Sequence, residues 1–523
     1  MPIVQQGSIN TTALVVPDLY VQIVPPQNLI LNGVPTNVVG LVGTASWGPI
    51  GQPVIVATMS DYAATFGPLL ARKYDMGTAV ACAVQQGAAN FRCVRATDGT
   101  DVAAAFQLPG TNFVFTALYT GSLGNQILVN LAAGSKVGMW RLTVASPGFQ
   151  PEVFDNIAGT GASFWTALAS AINSGTGPQR GPSQIVVGNA GGSVTTPVAF
   201  TWSFATGAAG SDGAAGVTAA SLVGVDTVPR HGMYALRGQD CSIGMLSDAD
   251  DATQYTTQAA FGLSEGLYMV LVGPAGDSIS NATAVKASVG LDTYAAKLMF
   301  GDWVWWNDQV NQTLRLVSPQ GFVVGRLANL SPEQSSLNKP LYGVVGSQKS
   351  GTPGSGQSSS YSAAELGVLF QAGIDVIANP QPAGRFWGVR GGHNSSSTAA
   401  TNGDNYTRLT NYIAATLAAG MGQYVGQVIN TQLFRRIRAT QLSFLQGMLS
   451  QGLLGSADGT LPFNVVCDAS NNPLARTGLG YVQSNAQIQY QAINEKFIVN
   501  MEGGQTVQVQ RETLPGTPGS LAA

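Results

Sequence analysis

Charge is nearly absent from this chain, and that property narrows what it can fold into more than any motif does. Asp, Glu, Lys and Arg make up 10% of its 523 residues, against about 25% in an ordinary soluble protein. The hydrophobic share is an ordinary 45%, and no segment approaches the ~18 consecutive apolar residues that a membrane-spanning helix needs. Gly, Ser, Thr, Asn and Gln stand where the charges would be. Such a surface lacks the repulsion that keeps proteins apart, and the cores of protein interfaces show the same depletion. The composition therefore predicts a subunit that packs against copies of itself.

The chain is too long for one core, and its length predicts roughly three or four units. A formal net charge of -3 gives no basic footprint, and the one dense cationic cluster is Arg435, Arg436 and Arg438. Direct nucleic-acid binding and membrane insertion are therefore not expected. The start, Met-Pro-Ile-Val-Gln-Gln-Gly, has neither the basic region nor the apolar stretch of a secretory signal, which predicts folding in a cytoplasm. Cys82, Cys93, Cys241 and Cys467 form no CxxC pair and no Cys/His cluster. They read as small buried hydrophobes, and no metal or cofactor is expected.

Patterning divides the chain. Leu19, Val21 and Ile23 alternate with Tyr20 and Gln22, a strand pattern that Pro17 and Pro25-Pro26 isolate from its surroundings. An apolar segment at 38–42, a Gly48-Pro49 turn, strands at 54–56 and 91–95 and helices at 60–66 and 77–86 follow as one α/β unit. Short apolar runs from 101 to 225, with one helix at 163–173, read as a β-rich insertion with a flexible Gly/Ala exit at 205–220. The α/β rhythm returns with a helix at 252–261, a buried-type strand at 267–272 and a helix at 281–297. Trp303, Trp305 and Trp306 read as core, with an interface anchor as the alternative. A Gly/Ser loop at 346–360 is expected to be disordered at its tip. Two long helices at 405–419 and 431–452 come next, the second with Phe434, Ile437, Leu445, Met448 and Leu449 on one face and Arg435 and Arg438 on another. Alternating segments at 487–491, 496–501 and 506–510 close the chain.

Catalysis finds little support. Only His231 and His393 could serve as a general base, and no GxSxG elbow is present. A serine-hydrolase-like enzyme is therefore a distant alternative, and no catalytic residue is assigned. No GxxxxGK[ST] loop offers a nucleotide site. A receptor-binding protein would explain the polar insertion but not the motifs below.

Leu41-Val42-Gly43-Thr44-Ala45-Ser46-Trp47-Gly48-Pro49, then Pro53-Val54-Ile55-Val56, Ser60-Asp61-Tyr62 and Phe66-Gly67, resemble the N-terminal signature of contractile tail sheath proteins. Collinear matches follow: Gly77 to Val94 as a helix, glycine turn and strand; Gly121-Ser122-Leu123-Gly124-Asn125; the turn Ser318 to Gly325; Ala372 to Ile377; and Gly384 to Arg390. Gly391-Gly392 departs from the pattern, where Thr-Leu would be usual. The resemblance spans roughly residues 18 to 502.

It implies a multidomain α/β fold: an α/β sheath core, a C-terminal α+β inner domain, a β-rich inserted outer domain and extended N- and C-terminal strand arms. The corresponding spans are 1–24 for the N-terminal arm, 25–100 and 226–380 for the core, 101–225 for the insertion, 381–504 for the inner domain and 505–523 for the C-terminal arm. The implied role is structural. Copies polymerise helically in hexameric rings around a tail tube and contract from a metastable state to drive it through a host envelope for genome delivery. The implied partners are the chain itself, the tube protein, and baseplate and tail terminator proteins. The implied place is a virion tail assembled in a bacterial host's cytoplasm; a headless bacteriocin or another injection system is the alternative. Leu19, Val21, Ile23, Val507 and Val509 would link subunits by strand addition, unless both termini are edge strands of their own sheet. Arg435 and Arg438 would face the tube, unless they form a solvated helix face.

Overall fold

The computed structural model describes residues 3–4, 21–22, 31–177 and 180–508. Ile3–Val4 (β1) pairs in parallel with Val21–Gln22 (β2), Ile3 opposite Val21. Leu19, Ile23 and Val509, three of the residues expected in the arms, lie outside the described residues.

Val39–Gly43 (β3) is buried at every position, as an all-apolar strand must be when helices cover both faces of its sheet. Pro53–Val56 (β4) leads into Met59–Phe66 (α1), started by a capping box in which the Thr58 hydroxyl accepts the Asp61 N–H and the Asp61 carboxylate accepts the Thr58 N–H. Met76–Gln85 (α2) is capped by Asp75. Phe91–Arg95 (β5) follows Gly87, whose φ of 98° suits glycine alone.

The insertion holds Ala105–Gln107 (β6), Val114–Ala117 (β7), Leu128–Ala133 (β8), Trp140–Ala145 (β9), Glu152–Ile157 (β10), Ala162–Ser174 (α3), Val186–Asn189 (β11) and Phe200–Ser203 (β12). Two antiparallel sheets, β10-β9-β8-β12 and β11-β7-β6, enclose a core of their own around Phe113, Phe115, Phe154, Phe164 and Trp165. Residues 205–220 are not a flexible exit. Ala208 and Ser211 bridge to Ala105 and Val102, and Asp212 pairs with Arg72 at 2.7 Å. The glycines serve close approach here, since a Cβ on Gly207 or Gly210 would overlap the carbonyl oxygen of Ala105 or Gly121.

Ala219–Val223 (α4) returns the chain to Ile243–Leu246 (β13), Tyr255–Glu265 (α5), Tyr268–Val272 (β14), Ile279–Ser288 (α6), Ala296–Met299 (β15), Val304–Asp308 (β16), Thr313–Val317 (β17), Gln320–Asn329 (α7), Val344–Ser347 (β18), Ala363–Gln371 (α8) and Ile374–Asp375 (β19). The main sheet runs β19-β15-β14-β13-β3-β5-β4 and is parallel except at β4. The helix expected over 281–297 stops at Ser288, because Gly290 takes a φ of 65°, and Lys297 lies instead on β15. The stretch Ser318 to Gly325, expected as a turn, opens α7. Its glycines let α7 lie directly on α2: a Cβ on Gly325 would come within 2.5 Å of the Ala83 backbone. Trp303 and Trp306 are buried in the core, as are Cys82 and Cys93.

Ile377–Ala378 (β20), Gly388–Val389 (β21), Asp404–Met421 (α9), Thr431–Ser450 (α10), Phe463–Val466 (β22), Leu474–Thr477 (α11) and Asn485–Ile488 (β23) complete the described elements. Leu409, Ile413, Phe444, Leu445, Met448 and Val465 form a separate core among α9, α10 and β22, and β22 pairs antiparallel with β23. Residues 492 to 523 form a unit apart from 1 to 491. The segments 496–501 and 506–508, read as strands, form none among the described residues. Phe497, Ile498, Val499 and Met501 are 81%, 79%, 70% and 89% exposed. An alternating segment becomes a strand only beside a ladder partner, and this segment has none among the described residues.

Candidate assembly sites

In an open α/β sheet, ligands bind where the strand order reverses, beyond the carboxyl ends of the strands. Here that point lies between β3 and β13, and the chain fills it. The Thr44 N–H donates to the Tyr74 carbonyl at 2.7 Å and the Met76 N–H to the Thr44 carbonyl at 2.9 Å. The Tyr74 N–H donates to Asp248 at 3.1 Å, and the Asp248 N–H to the Gln320 side chain at 3.0 Å. His231 is exposed, while His393 is half-buried beside the Phe370 ring.

A buried ionic cluster fastens α9 to the main sheet. Lys297 on β15 contacts Asp375 on β19 at 2.6 Å and Asp404, the first residue of α9, at 3.0 Å. Tyr268 on β14 donates to Asp404 at 2.5 Å, and the Ser336 hydroxyl donates to its other oxygen. Asp375 accepts the N–H groups of Gly391 at 2.8 Å and Gly392 at 2.7 Å. Burial opposes charge on Lys297, but the two carboxylates outweigh it and hold its pKa above the ordinary value. Burial likewise opposes charge on Asp404, yet Lys297 and the Ser336 and Tyr268 hydroxyls hold its pKa low. This cluster was not among the expected sites. Its signal was present: a lysine inside the apolar run Ala295 to Phe300 must find a partner when that run is buried.

One turn further along α9, buried Arg408 donates to the carbonyls of Ser331, Leu330 and Thr36 at 2.9, 2.8 and 3.3 Å. Residues 31–36 thereby run antiparallel to α9. The Val34 N–H reaches Thr416 at 3.3 Å, and Gly33 and Gly420 sit so close to Tyr412 and Leu31 that a Cβ on either would overlap them. At the other end of α9, Asn405 donates to the Gln491 carbonyl at 3.0 Å and Thr410 meets the Tyr490 hydroxyl at 3.1 Å.

The α10 arginines divide. Phe434, Ile437, Leu445 and Met448 are buried on one face and Arg435, Arg436 and Arg438 are exposed on the other. Arg436 donates to Gln427 at 2.6 Å, and Arg438 donates to the Val465 carbonyl at 3.0 Å, tying α10 to β22. Arg435 has no hydrogen bond or ion pair among the described residues. Of the arm residues, Val21 pairs through its backbone with Ile3, and the Val507 N–H closes a turn on Gly504 at 3.3 Å.

No family model and no curated protein matches the sequence. Solved structures do match. The sheath tail protein of Desulfitobacterium hafniense is 16% identical with a TM-score of 0.57, over 85% of this chain and 92% of that one. The sheath tail protein of Listeria innocua is 15% identical with a TM-score of 0.58, over 84% and 90%. The sheath complex of PVC, an extracellular contractile injection system, in its contracted state is 12% identical with a TM-score of 0.53, over 95% and 99%. A core sheet interrupted by a β-rich insertion and closed by a helical C-terminal region is thus a multidomain α/β architecture, and its fold is that of contractile tail sheath proteins.

Proposed function

We propose that this chain is the structural subunit of a contractile sheath. It polymerises helically around a tail tube and drives that tube through a host envelope for genome delivery, or does the equivalent work in a headless particle. The observation that supports this most is the sheath fold over most of the chain's length, joined to a composition of which only 10% is charged. The terminal segments link subunits through strand addition, each main-chain hydrogen bond adding about 1 kcal/mol net. The exposed apolar side chains at 497–501 suit that role. Arg435 faces the tube, where an exposed ion pair worth ~0–1 kcal/mol slips readily.

The work of contraction is stored in assembly. Two packings of one subunit need differ by only a few kcal/mol when many copies switch together. The test is negative-stain electron microscopy of the purified protein, with hollow sleeves expected. Deletion of 1–18 or of 506–523 should leave a folded subunit that forms none. Monodisperse wild-type monomers under every condition would defeat the sheath reading, and normal sleeves from either truncation would defeat the arms.

A further inference from the structure

We propose that α9 is the strut that carries load between the two terminal segments of the chain. The inference rests on the sheath reading, because only a subunit linked at both ends is pulled at both ends.

Three observations support it. The first is position. The incoming segment meets α9 at its last turn, where Leu31 touches Gly420, and runs back along the helix past Thr416 and Tyr412 to Arg408. The outgoing segment is fastened to its first turns, where Gln491 meets Asn405 and Tyr490 meets Thr410. Asn405 and Gly420 are fifteen residues apart in one helix, about 22 Å at 1.5 Å per residue. Leu31 and Gln491 are therefore held at opposite ends of one rigid rod.

The second is closeness of fit. Gly33 and Gly420 are the contact points on either side of the seat, and a side chain on either would overlap its neighbour. Neither takes a positive φ. The backbone conformation would accept alanine at both, and what a methyl would meet is the end of the Tyr412 or the Leu31 side chain, which must swing aside to admit it. The strap is then held by Val34 on Thr416 and by Thr36 under the Arg408 guanidinium.

The third is anchorage. A strut must pass its load to something stiff, and Asp404 sits in the dry Lys297 cluster, whose partners lie on β14, β15 and β19 of the main sheet. Arg408 adds the Leu330 and Ser331 carbonyls that follow α7. Breaking a buried charge pair is far more costly than breaking an exposed one. The contact that should survive contraction is thus the one that is buried and ionic, while the exposed Arg435 is free to let go.

The test uses the full-length chain. Gly33→Ala places a methyl against the Tyr412 ring and should unseat the strap, and Gly33→Ala with Tyr412→Leu makes room and should reseat it. Thermal melting of the monomer and the denaturant midpoint for sleeve disassembly are measured for wild type and both variants. Gly33→Ala should lower the sleeve midpoint while monomer melting stays near wild type, and the double variant should recover the sleeve midpoint. A wild-type sleeve midpoint for Gly33→Ala, an equal loss in monomer and sleeve, or no recovery in the double variant would overturn the strut. A wild-type protein that forms no sleeves at all would instead remove the sheath reading, and the strut with it.

Discussion

Lys297 shows how much one charge can decide in a chain that has few. Substituting Lys297→Met leaves Asp375 and Asp404 buried without a cation, and unpaired buried charge costs about 3–5 kcal/mol. Urea unfolding should show that deficit near neutral pH, and it should shrink at low pH as the carboxylates take up protons. An equal deficit at pH 4 and pH 8 would count against the ionic account. Linkage fixes the signs for the wild type. Lys297, held above its ordinary value, contributes stability that is present below about pH 10.4 and lost as pH rises through its folded pKa. Asp404, held low, contributes stability present above about pH 3.9 and lost as pH falls through its folded pKa. Asp75 works in the opposite sense. Burial pushes it up to about 6, so the folded state keeps a proton that the unfolded chain has released, and stability declines as pH rises from about 4 to about 6.

Helix pairs are set by what their glycines permit. Gly321 and Gly325 stand four apart on α7 and let it rest on α2, with Ala79, Cys82 and Ala83 beneath them. The obstruction at Gly325 is the Ala83 backbone, which no rotamer change can move aside. Gly325→Ala should therefore cost about 1–3 kcal/mol through overpacking, read as a lower melting temperature. An unchanged melt would mean that the two helices separate freely. A glycine pair at that spacing resembles a turn when read alone, and it belongs to a helix only once α2 is present. The same holds for 205–220, where glycine marks contact rather than flexibility.

Assembly is a property of the whole molecule, and two exposed features are available for it. Phe497→Ser with Ile498→Ser should leave monomer melting unchanged, since both side chains are exposed, while sleeve yield in a pelleting assay falls. Sleeves at wild-type yield would show that this segment takes no part. Arg435→Glu should weaken attachment of the sleeve to its tube, read by co-sedimentation with the tube protein. Arg438 is the poorer choice for that test, because its bond to Val465 is internal.

Much of the architecture was legible in the residues. Apolar runs, capping residues and glycine breaks placed β3, β4, α1, α2, β5, α9 and α10 within a few positions, because each depends on neighbours only a few residues away. The collinear motifs pointed to the sheath fold for the same reason. Of the Lys297 cluster only the lysine itself was legible, as a charge in an apolar run; its partners lie 78 and 107 residues away, and nothing local names them. Nor could periodicity tell that 296–299 is a strand, which depends on β14 and β19 lying beside it, or that 496–501 is none, which depends on a ladder partner not found among the described residues. Local chemistry named the pieces. Contacts across the fold chose which piece became strand, helix or strap, because burial and ladder pairing exist only after distant segments meet.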